Sequence, residues 1–165
     1  MTDRDRASTR GAIYVEFLVA FLPVFTMFLG LVQLMDLHQA NVVVHHAAML
    51  TARSAAVVLP DDPQYYDNAD LGQASGKRKE DIVKAASFSL RASRSLSEVK
   101  VTFPSSAGGS DDQSTFNRDD LIRVQVQAHF QCRVPLVSKL VCGSNSIRTL
   151  TAESAFPNQG ADFTY

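Results

Sequence analysis

The feature that most constrains this chain is an apolar run near its start, from Ala12 to Met35, in which Glu16 is the only charged residue. An α-helix rises about 1.5 Å per residue, so a run of this length would extend about 36 Å. The hydrocarbon core of a bilayer is about 30 Å thick. The run therefore predicts a single membrane-spanning helix over residues 12–35.

The charges on either side of the run predict its orientation. Arg4, Arg6 and Arg10 precede it, whereas the first lysine or arginine after it is Arg53. Basic residues are retained preferentially on the cytoplasmic side. We therefore expect a single-pass protein of the cell inner membrane, with residues 1–11 in the cytoplasm and the C-terminal domain periplasmic or extracellular. The segment "DLHQA" after the run is a poor signal-peptidase site, so removal as an ordinary secretory signal is not expected.

Glu16 is the residue of this run that requires an explanation. A carboxylate inside a bilayer is costly unless it is paired or reaches the interface. Glu16 lies about 9 Å of helix beyond Arg10, so its side chain could reach the inner headgroups and have no further role. It could equally mark a functional site. The glutamate alone leaves both interpretations open.

The membrane helix is predicted to continue into the extramembrane space. Residues 36–59 contain neither glycine nor proline, and small or apolar residues recur on one face of the expected helix. These residues are Val43, Val44, Ala47, Ala48, Leu50, Ala55 and Ala56. Pro60 and Pro63 are expected to end the helix. Residues 60–79 are rich in polar residues and predict an exposed linker.

Residues 80–165 predict a second helix followed by an antiparallel sheet, so the fold class is α+β. The helix is expected over Glu80–Ser95, with acidic residues at its start and arginines toward its end. Strands are predicted from "EVKVTF", from the strictly alternating "LIRVQVQAHFQCRV" and from "SIRTLTAESAF", whose irregular pattern suggests a bulge. We expect this three-stranded sheet to pack on the two helices.

Composition and motifs argue against several classes of function. The chain has 165 residues, 16 basic and 17 acidic, and a net charge of -1, so it lacks the positive surface typical of nucleic-acid-binding proteins. It contains no nucleophile elbow, phosphate-binding glycine loop or HExxH motif. We expect no nucleic-acid partner, no cofactor and no enzymatic activity.

Two sets of side chains could suggest a metal. Two of His38, His45 and His46 could share a helix face, but no third ligand is evident. The loop aspartates lack the alternating oxygen ligands and glycine of an EF-hand. They are Asp61, Asp62, Asp67, Asp70, Asp111, Asp112, Asp119 and Asp120. We expect solvated side chains in both sets and no metal site.

The two cysteines, Cys132 and Cys142, flank the segment "RVPLVSKLV". In the expected orientation they lie outside the membrane, where oxidation is permitted. A disulfide between them would contribute about 2–3 kcal/mol by the loop-entropy estimate. We favour the disulfide over free thiols. Without matching histidines, a zinc site is not expected.

The residues around Glu16 resemble the processing site of prepilin-like proteins of the type IV pilus family. In "RGAIYVEF", Gly11 follows a basic residue at the membrane boundary, and Glu16 follows five positions later, before Phe17. The resemblance implies that a prepilin peptidase cuts after Gly11 and that Ala12 becomes the new N-terminus. The ammonium so created would lie near the depth of Glu16 of a neighbouring subunit, and this charge pair would set the register of an assembly.

A closer resemblance is to the TadE-like minor pseudopilins of tight-adherence, or Flp-type, pilus systems. It covers the processing motif, the exit "GLVQLMDLHQAN", the alanine-rich "HHAAMLTARSAAVV" and "CRVPLVSKLVCGSNSIRTLTAESAFPN" near the C-terminus. The chain departs from the family in an N-terminal helix that is less rich in alanine and leucine, and Asp61 to Lys79 looks like an insertion.

The resemblance implies a pilin-like periplasmic domain and a role as a processed minor pseudopilin of a pilus or secretion pseudopilus. The implied partners are a prepilin peptidase, other pilins or pseudopilins, the membrane and the inner-membrane pilus assembly platform. The residues alone do not separate a minor subunit from a major one. The alternative is an uncleaved, single-pass, membrane-anchored binding or sensory module, in which Glu16 only reaches the interface.

Overall fold

The computed structural model describes residues 3–91 and 93–158, with side chains described from Ile13 onward, apart from residue 92. Helix α1 covers Asp3–Val58 and is followed by a short 3-10 turn at Pro63–Tyr66 and helix α2 at Gly76–Leu90. Strands β1, Leu96–Thr102, and β2, Leu121–Gln131, come next, then the short helix α3, Ser138–Cys142, and strand β3, Ile147–Pro157. The chain is therefore an α+β protein, as predicted.

Helix α1 is continuous through the apolar run and the residues that follow it, up to Val58. Its 56 residues correspond to a rod of about 84 Å. The helix passes through Pro23, and the Thr26 hydroxyl donates a hydrogen bond to the Pro23 carbonyl at 2.9 Å. It ends at Val58, directly before Leu59 and Pro60; a proline removes one helical hydrogen bond and disfavours the helical conformation of the residue before it. The prediction of one long helix ended by Pro60 is confirmed.

The three strands form one antiparallel sheet in the order β1-β2-β3. The central strand β2 pairs with β3 along its whole length, from Leu121 opposite Pro157 to Gln131 opposite Ile147. Every second residue of β2 is buried, which confirms the predicted alternation. The buried residues are Ile122, Val124, Val126, Ala128 and Phe130.

The two helices cover one face of this sheet. Helix α1 packs on β2 and β3, and α2 packs on β1 and on α1. The face of α1 that enters the core is made mostly of alanines, which allow the helix to approach its neighbours closely. These residues are Ala40, Ala47, Ala48, Ala52, Ala55 and Ala56. The predicted packing of a three-stranded sheet on two helices is confirmed.

Three predictions about local structure are wrong. Helix α2 begins at Gly76 and ends at Leu90, so it lies earlier in the chain than Glu80–Ser95. The segment 60–79 is not an exposed linker throughout, since Ala74 and Arg78 are buried within it. The irregularity in the sheet lies in β1, between Ser97 and Lys100, and not in β3, whose pairing with β2 is unbroken.

Candidate membrane and assembly site

Helix α1 is apolar from Ile13 to Leu31 apart from Glu16 and Thr26, and this part is largely uncovered by the rest of the described chain. Tyr14, Val19 and Met27 are each about 70% exposed, and the best membrane-spanning window is not buried at all. Among the described residues this is the one helix long and apolar enough to cross a membrane. A helix that is hydrophobic all round is normally covered by lipid or by protein. The surface over residues 13–31 therefore needs a cover from outside this chain.

Three aromatic rings form a row along this surface. The rings of Phe17 and Phe21 stack with centroids 5.4 Å apart, and those of Phe21 and Phe25 stack at 5.3 Å. Residues four positions apart lie above one another on a helix, so this row follows from the sequence spacing. The row presents Phe17, a predicted assembly residue, on a ridge that another helix could contact.

Glu16 is exposed on the same helix, among apolar neighbours. The side chains one turn away on either side are those of Ile13, Val19 and Ala20. Within the described part of the chain, no group donates a hydrogen bond to the Glu16 carboxylate or forms an ion pair with it. Gly11 and Ala12, the predicted processing site, lie on α1 but outside the residues whose side chains are described.

The apolar helix meets the sheet domain at Gln33. The Gln33 side chain is 1% exposed, and its Oε1 accepts a hydrogen bond at 3.0 Å from the backbone N–H of Val134. Its Nε2 has no hydrogen-bond partner among the described residues. One turn earlier, Gly30 faces Val137, whose Cγ1 would lie 3.8 Å from a β-carbon at that position. Gln33 and Gly30 thus hold a segment of the domain against the end of the apolar run.

That segment is the loop closed by the disulfide between Cys132 and Cys142, which the structure contains as predicted. Cys132 is buried at the end of β2, and the short helix α3 returns the chain to Cys142. Val137 is buried as well as Cys132, whereas Leu136 and Leu140 are 67% and 86% exposed. We call residues 132–142 the disulfide loop.

A second buried polar side chain, Arg78, lies at the opposite end of the part of α1 that packs on the sheet domain. Its Nη1 donates to the carbonyls of Val58 and Leu59 at 2.7 and 2.8 Å. Its Nη2 donates to the carbonyls of Asp61 and Ala69 at 3.0 and 3.2 Å. The last carbonyls of a helix have no partner within the helix, and a cation is favoured there. Arg78 therefore closes the C-terminal end of α1.

The surroundings of Arg78 are aromatic and acidic. The guanidinium lies 4.6 Å from the ring centre of Tyr66, and the Tyr66 hydroxyl donates to Asp61 Oδ2 at 3.2 Å. Burial lowers the pKa of Arg78 from its ordinary value. Burial, followed by the hydrogen bond to Asp61, raises the pKa of Tyr66. The hydrogen bonds of Arg78 and its contact with Tyr66 thus join the end of α1, the turn after it and the start of α2.

The loop aspartates and the helix histidines are the side chains that could suggest a metal site. Asp62 accepts a hydrogen bond from the backbone N–H of Gln64 at 2.9 Å, and Asp120 accepts one from Asn117 at 2.7 Å, so both stabilise turns. The three histidines of α1 are exposed. Among the described residues, no group of three or more histidine, cysteine or acidic side chains could hold a metal ion.

Comparison with known proteins gives no relative. No protein-family model matches the chain, and no curated protein and no solved structure matches it. The functional interpretation therefore depends on the residues and their geometry.

Sequence reasoning missed Arg78 and the partner of Gln33. The buried residues of α2 are Arg78, Ile82, Ala86 and Leu90, each four positions after the last. Extending the predicted apolar face by one turn would therefore have placed Arg78, and not its lysine neighbours, in the core. The contact between Gln33 and Val134 joins residues about a hundred positions apart, and nothing local in the sequence signals it.

Proposed function

We propose that this chain is a membrane-anchored, N-terminally processed pseudopilin that is similar to the TadE-like minor subunits and is incorporated into, or primes, a tight-adherence-type pilus or secretion pseudopilus. The observation that carries the proposal is the exposed apolar surface of α1, on which Glu16 has no partner among the described residues. Such a surface fits lipid before assembly and the equivalent helices of other subunits after it.

The orientation follows from the charges that flank the apolar run. The arginines before it favour a cytoplasmic N-terminus, so the sheet domain and its disulfide would lie on the oxidising side of the inner membrane. A prepilin peptidase acting at the cytoplasmic face would then meet Gly11 and Ala12 at the membrane boundary. The disulfide supports this orientation because such bonds are rare in the cytoplasm.

Processing would supply a positive charge for Glu16, which has no partner among the described residues of its own chain. Cleavage after Gly11 places an ammonium on Ala12, and Glu16 lies four residues, or about 6 Å of helix, further along. A subunit displaced along the filament could bring its own Ala12 to this carboxylate. Leaving either charge unpaired in an apolar bundle costs roughly 3–5 kcal/mol, so the pair would favour a single register.

The proposal is tested by the intact mass of the protein isolated from membranes of its native host. A processed pseudopilin begins at Ala12 and lacks the first eleven residues, whereas an anchored binding or sensory module begins at or near Met1. Replacement of Gly11 by a bulky residue should leave the full-length form, and Ser8→Ala, also in the leader, is the matched control that should still be cleaved. A wild-type protein that retains its leader in assembled pili would refute the proposal.

A further inference from the structure

The disulfide loop lies at the membrane-proximal end of the sheet domain. The core face of α1 begins at Leu37 and Ala40, but the loop contacts α1 closer to its N-terminus, at Gln33 and Gly30. Along the loop, Val134 lies at Gln33 and Val137 lies at Gly30, so the chain runs toward the apolar segment. Within the described chain, no other loop is seen to contact α1 so close to that segment.

The position of the loop along α1 matches the expected outer boundary of the bilayer. Twenty residues separate Ile13 from Gln33, which corresponds to about 30 Å of helix and to the thickness of the hydrocarbon core. If Ile13 lies at the inner boundary, Gly30 and Gln33 lie at the outer one. Gln33, whose amide is removed from solvent by the loop, is the first strongly polar side chain after Glu16 apart from Thr26.

The side chains of the loop have the composition of an interfacial segment. Leu136 and Leu140 are 67% and 86% exposed, in a loop that contacts α1 at Gly30 and Gln33, next to the exposed apolar part of the helix. The loop contains two basic residues, Arg133 and Lys139, both exposed, and no acidic residue. Exposed leucines beside basic groups are typical of segments that lie in the headgroup region, with apolar side chains in the acyl chains and cations at the phosphates.

We propose that the disulfide loop is a second membrane contact, which inserts Leu136 and Leu140 into the outer leaflet beside α1. The inference rests on the proposed membrane insertion of α1. Its physical consequence is that the sheet domain is held at two points, the helix and the loop, so its tilt and rotation on the bilayer are restricted. The disulfide keeps the loop ends together, and the Gln33 and Gly30 contacts fix the loop's depth.

The absence of tryptophan from the chain provides a clean probe. The full-length variant Leu140→Trp is reconstituted in vesicles of phosphatidylcholine and phosphatidylglycerol, with and without phosphatidylcholine that carries a doxyl quencher high in the acyl chain. The matched control is Leu71→Trp. Leu71 is likewise an exposed leucine, at 50%. It adjoins Gly72, whose N–H donates to the Leu59 carbonyl, and Leu59 lies about 39 Å of helix beyond Gln33.

We expect the emission of the tryptophan at position 140 to be blue-shifted, and to be quenched by the doxyl lipid at every protein-to-lipid ratio. The emission of the tryptophan at position 71 should be neither shifted by the vesicles nor quenched by the doxyl lipid. Quenching equal to that of the control would overturn the proposal. A blue shift that appears only at high protein density and without quenching would also overturn it, because a second copy of the chain would then cover the loop.

A third variant separates this inference from the proposal on which it rests. Leu22→Trp places the probe near the middle of the apolar run, where a doxyl group deep in the acyl chains should quench it. If position 22 is quenched and position 140 is not, only the loop inference fails. If position 22 is not quenched either, α1 is not inserted, and the membrane-anchored function and the loop inference fail together.

Discussion

Arg78 donates four hydrogen bonds to carbonyl groups at the end of α1 and in the turn after it. Replacing it with methionine keeps much of the side-chain volume but removes all four hydrogen bonds. The carbonyls of Val58 and Leu59 each keep a backbone N–H donor, whereas those of Asp61 and Ala69 lose the donor that Arg78 supplies. Because buried polar groups without partners are costly, we expect Arg78→Met to lower the free energy of unfolding by about 3 kcal/mol. Urea titration of the full chain in detergent micelles, followed by tyrosine fluorescence, measures the change.

The control for this prediction is the neighbouring residue Lys77, which is exposed on the same turn of α2. Lys77→Met should change the free energy of unfolding by no more than about 0.5 kcal/mol. Arg78→Lys should fall between the two variants, since an ammonium cannot reproduce the planar arrangement of donors. Equal stability of Arg78→Met and Lys77→Met would contradict the assigned role of Arg78.

Asp112 links the loop after β1 to α2, and this contact predicts a pH dependence. Partial burial raises the pKa of Asp112, but the hydrogen bonds from Lys79 Nζ at 2.6 Å and from the Phe103 N–H at 2.9 Å outweigh it and hold the pKa below its ordinary value. A depressed folded-state pKa stabilises the fold above the unfolded value of about 3.9, and this contribution is lost as the pH falls through the folded value.

Asp112→Asn should therefore remove part of the acid sensitivity of the fold. The two side chains of the pair are 35% and 40% exposed, so solvent screening limits the effect to less than about 1 kcal/mol. The measurement is the melting temperature of wild type and variant at about pH 6.5 and about pH 3.5. Wild type should lose more melting temperature than Asp112→Asn between these two pH values. This difference between the proteins should shrink when Lys79→Met is added to both. If it does not depend on Lys79, the ion pair is not its cause.

At the scale of elements, Gly72 joins the segment after α1 to the loop before β2. Its N–H donates to the Leu59 carbonyl at 3.0 Å, and its own carbonyl accepts from the Phe116 N–H at 2.9 Å. Its φ is +75°, and an added β-carbon would approach the Phe116 carbonyl oxygen to a distance that real contacts do not reach. Gly72→Ala should lower the free energy of unfolding by about 2–4 kcal/mol, measured by chemical denaturation.

Gly108 provides the matched comparison, because its φ is +72° but nothing lies within 4 Å of an added β-carbon. Gly108→Ala should cost only the conformational strain of about 1–2 kcal/mol. The difference between the two variants isolates the steric contact between Gly72 and Phe116. If both variants lose the same stability, the close approach of these two segments is not a constraint on the fold.

The elements differ in how well the sequence predicts them. Strand β2 is predicted well because one of its faces is buried along its whole length, so burial imposes a strict period of two. In β3 only Leu150 and Ala152 are buried, so burial constrains few of its positions. The irregular alternation of apolar and polar residues in β3 therefore reflects an exposed edge strand and not a bulge. The sequence predicts α2 too late in the chain because Glu80 and Asp81 resemble the acidic first turn of a helix. The N-cap of α2 is Ser75.

The sequence also predicts some features of the candidate site and not others. The apolar run and the place of Glu16 within it are readable from the sequence, because membrane thickness and the cost of a buried charge act on local composition. The contact of the disulfide loop with Gly30 and Gln33 is not readable, because it depends on how the sheet is placed on α1. The cysteine spacing predicted a closed loop but not what the loop contacts.

At the scale of the whole molecule, the proposed function makes α1 both a membrane anchor and an assembly surface, and Glu16 separates the two roles. Glu16→Leu removes a charge from the apolar helix, so membrane insertion should be retained or improved. Assembly should suffer, because the ammonium at Ala12 of a neighbouring subunit would lose its partner. Loss of a pair worth roughly 3–5 kcal/mol corresponds to a population change of at least about a hundredfold.

We therefore expect Glu16→Leu to be found in the membrane, cleaved after Gly11, and to be depleted at least tenfold from sheared and purified pili. Immunoblots of membrane and pilus fractions, with the intact mass of each, measure both quantities. Thr26→Val is the matched control: it also removes a polar group from the apolar helix, but its hydroxyl already bonds to the Pro23 carbonyl of its own chain, so incorporation should be unchanged. Glu16→Leu recovered in pili at the wild-type level would show that the carboxylate has no part in registering subunits, and it would favour the interpretation in which Glu16 only reaches the inner headgroups.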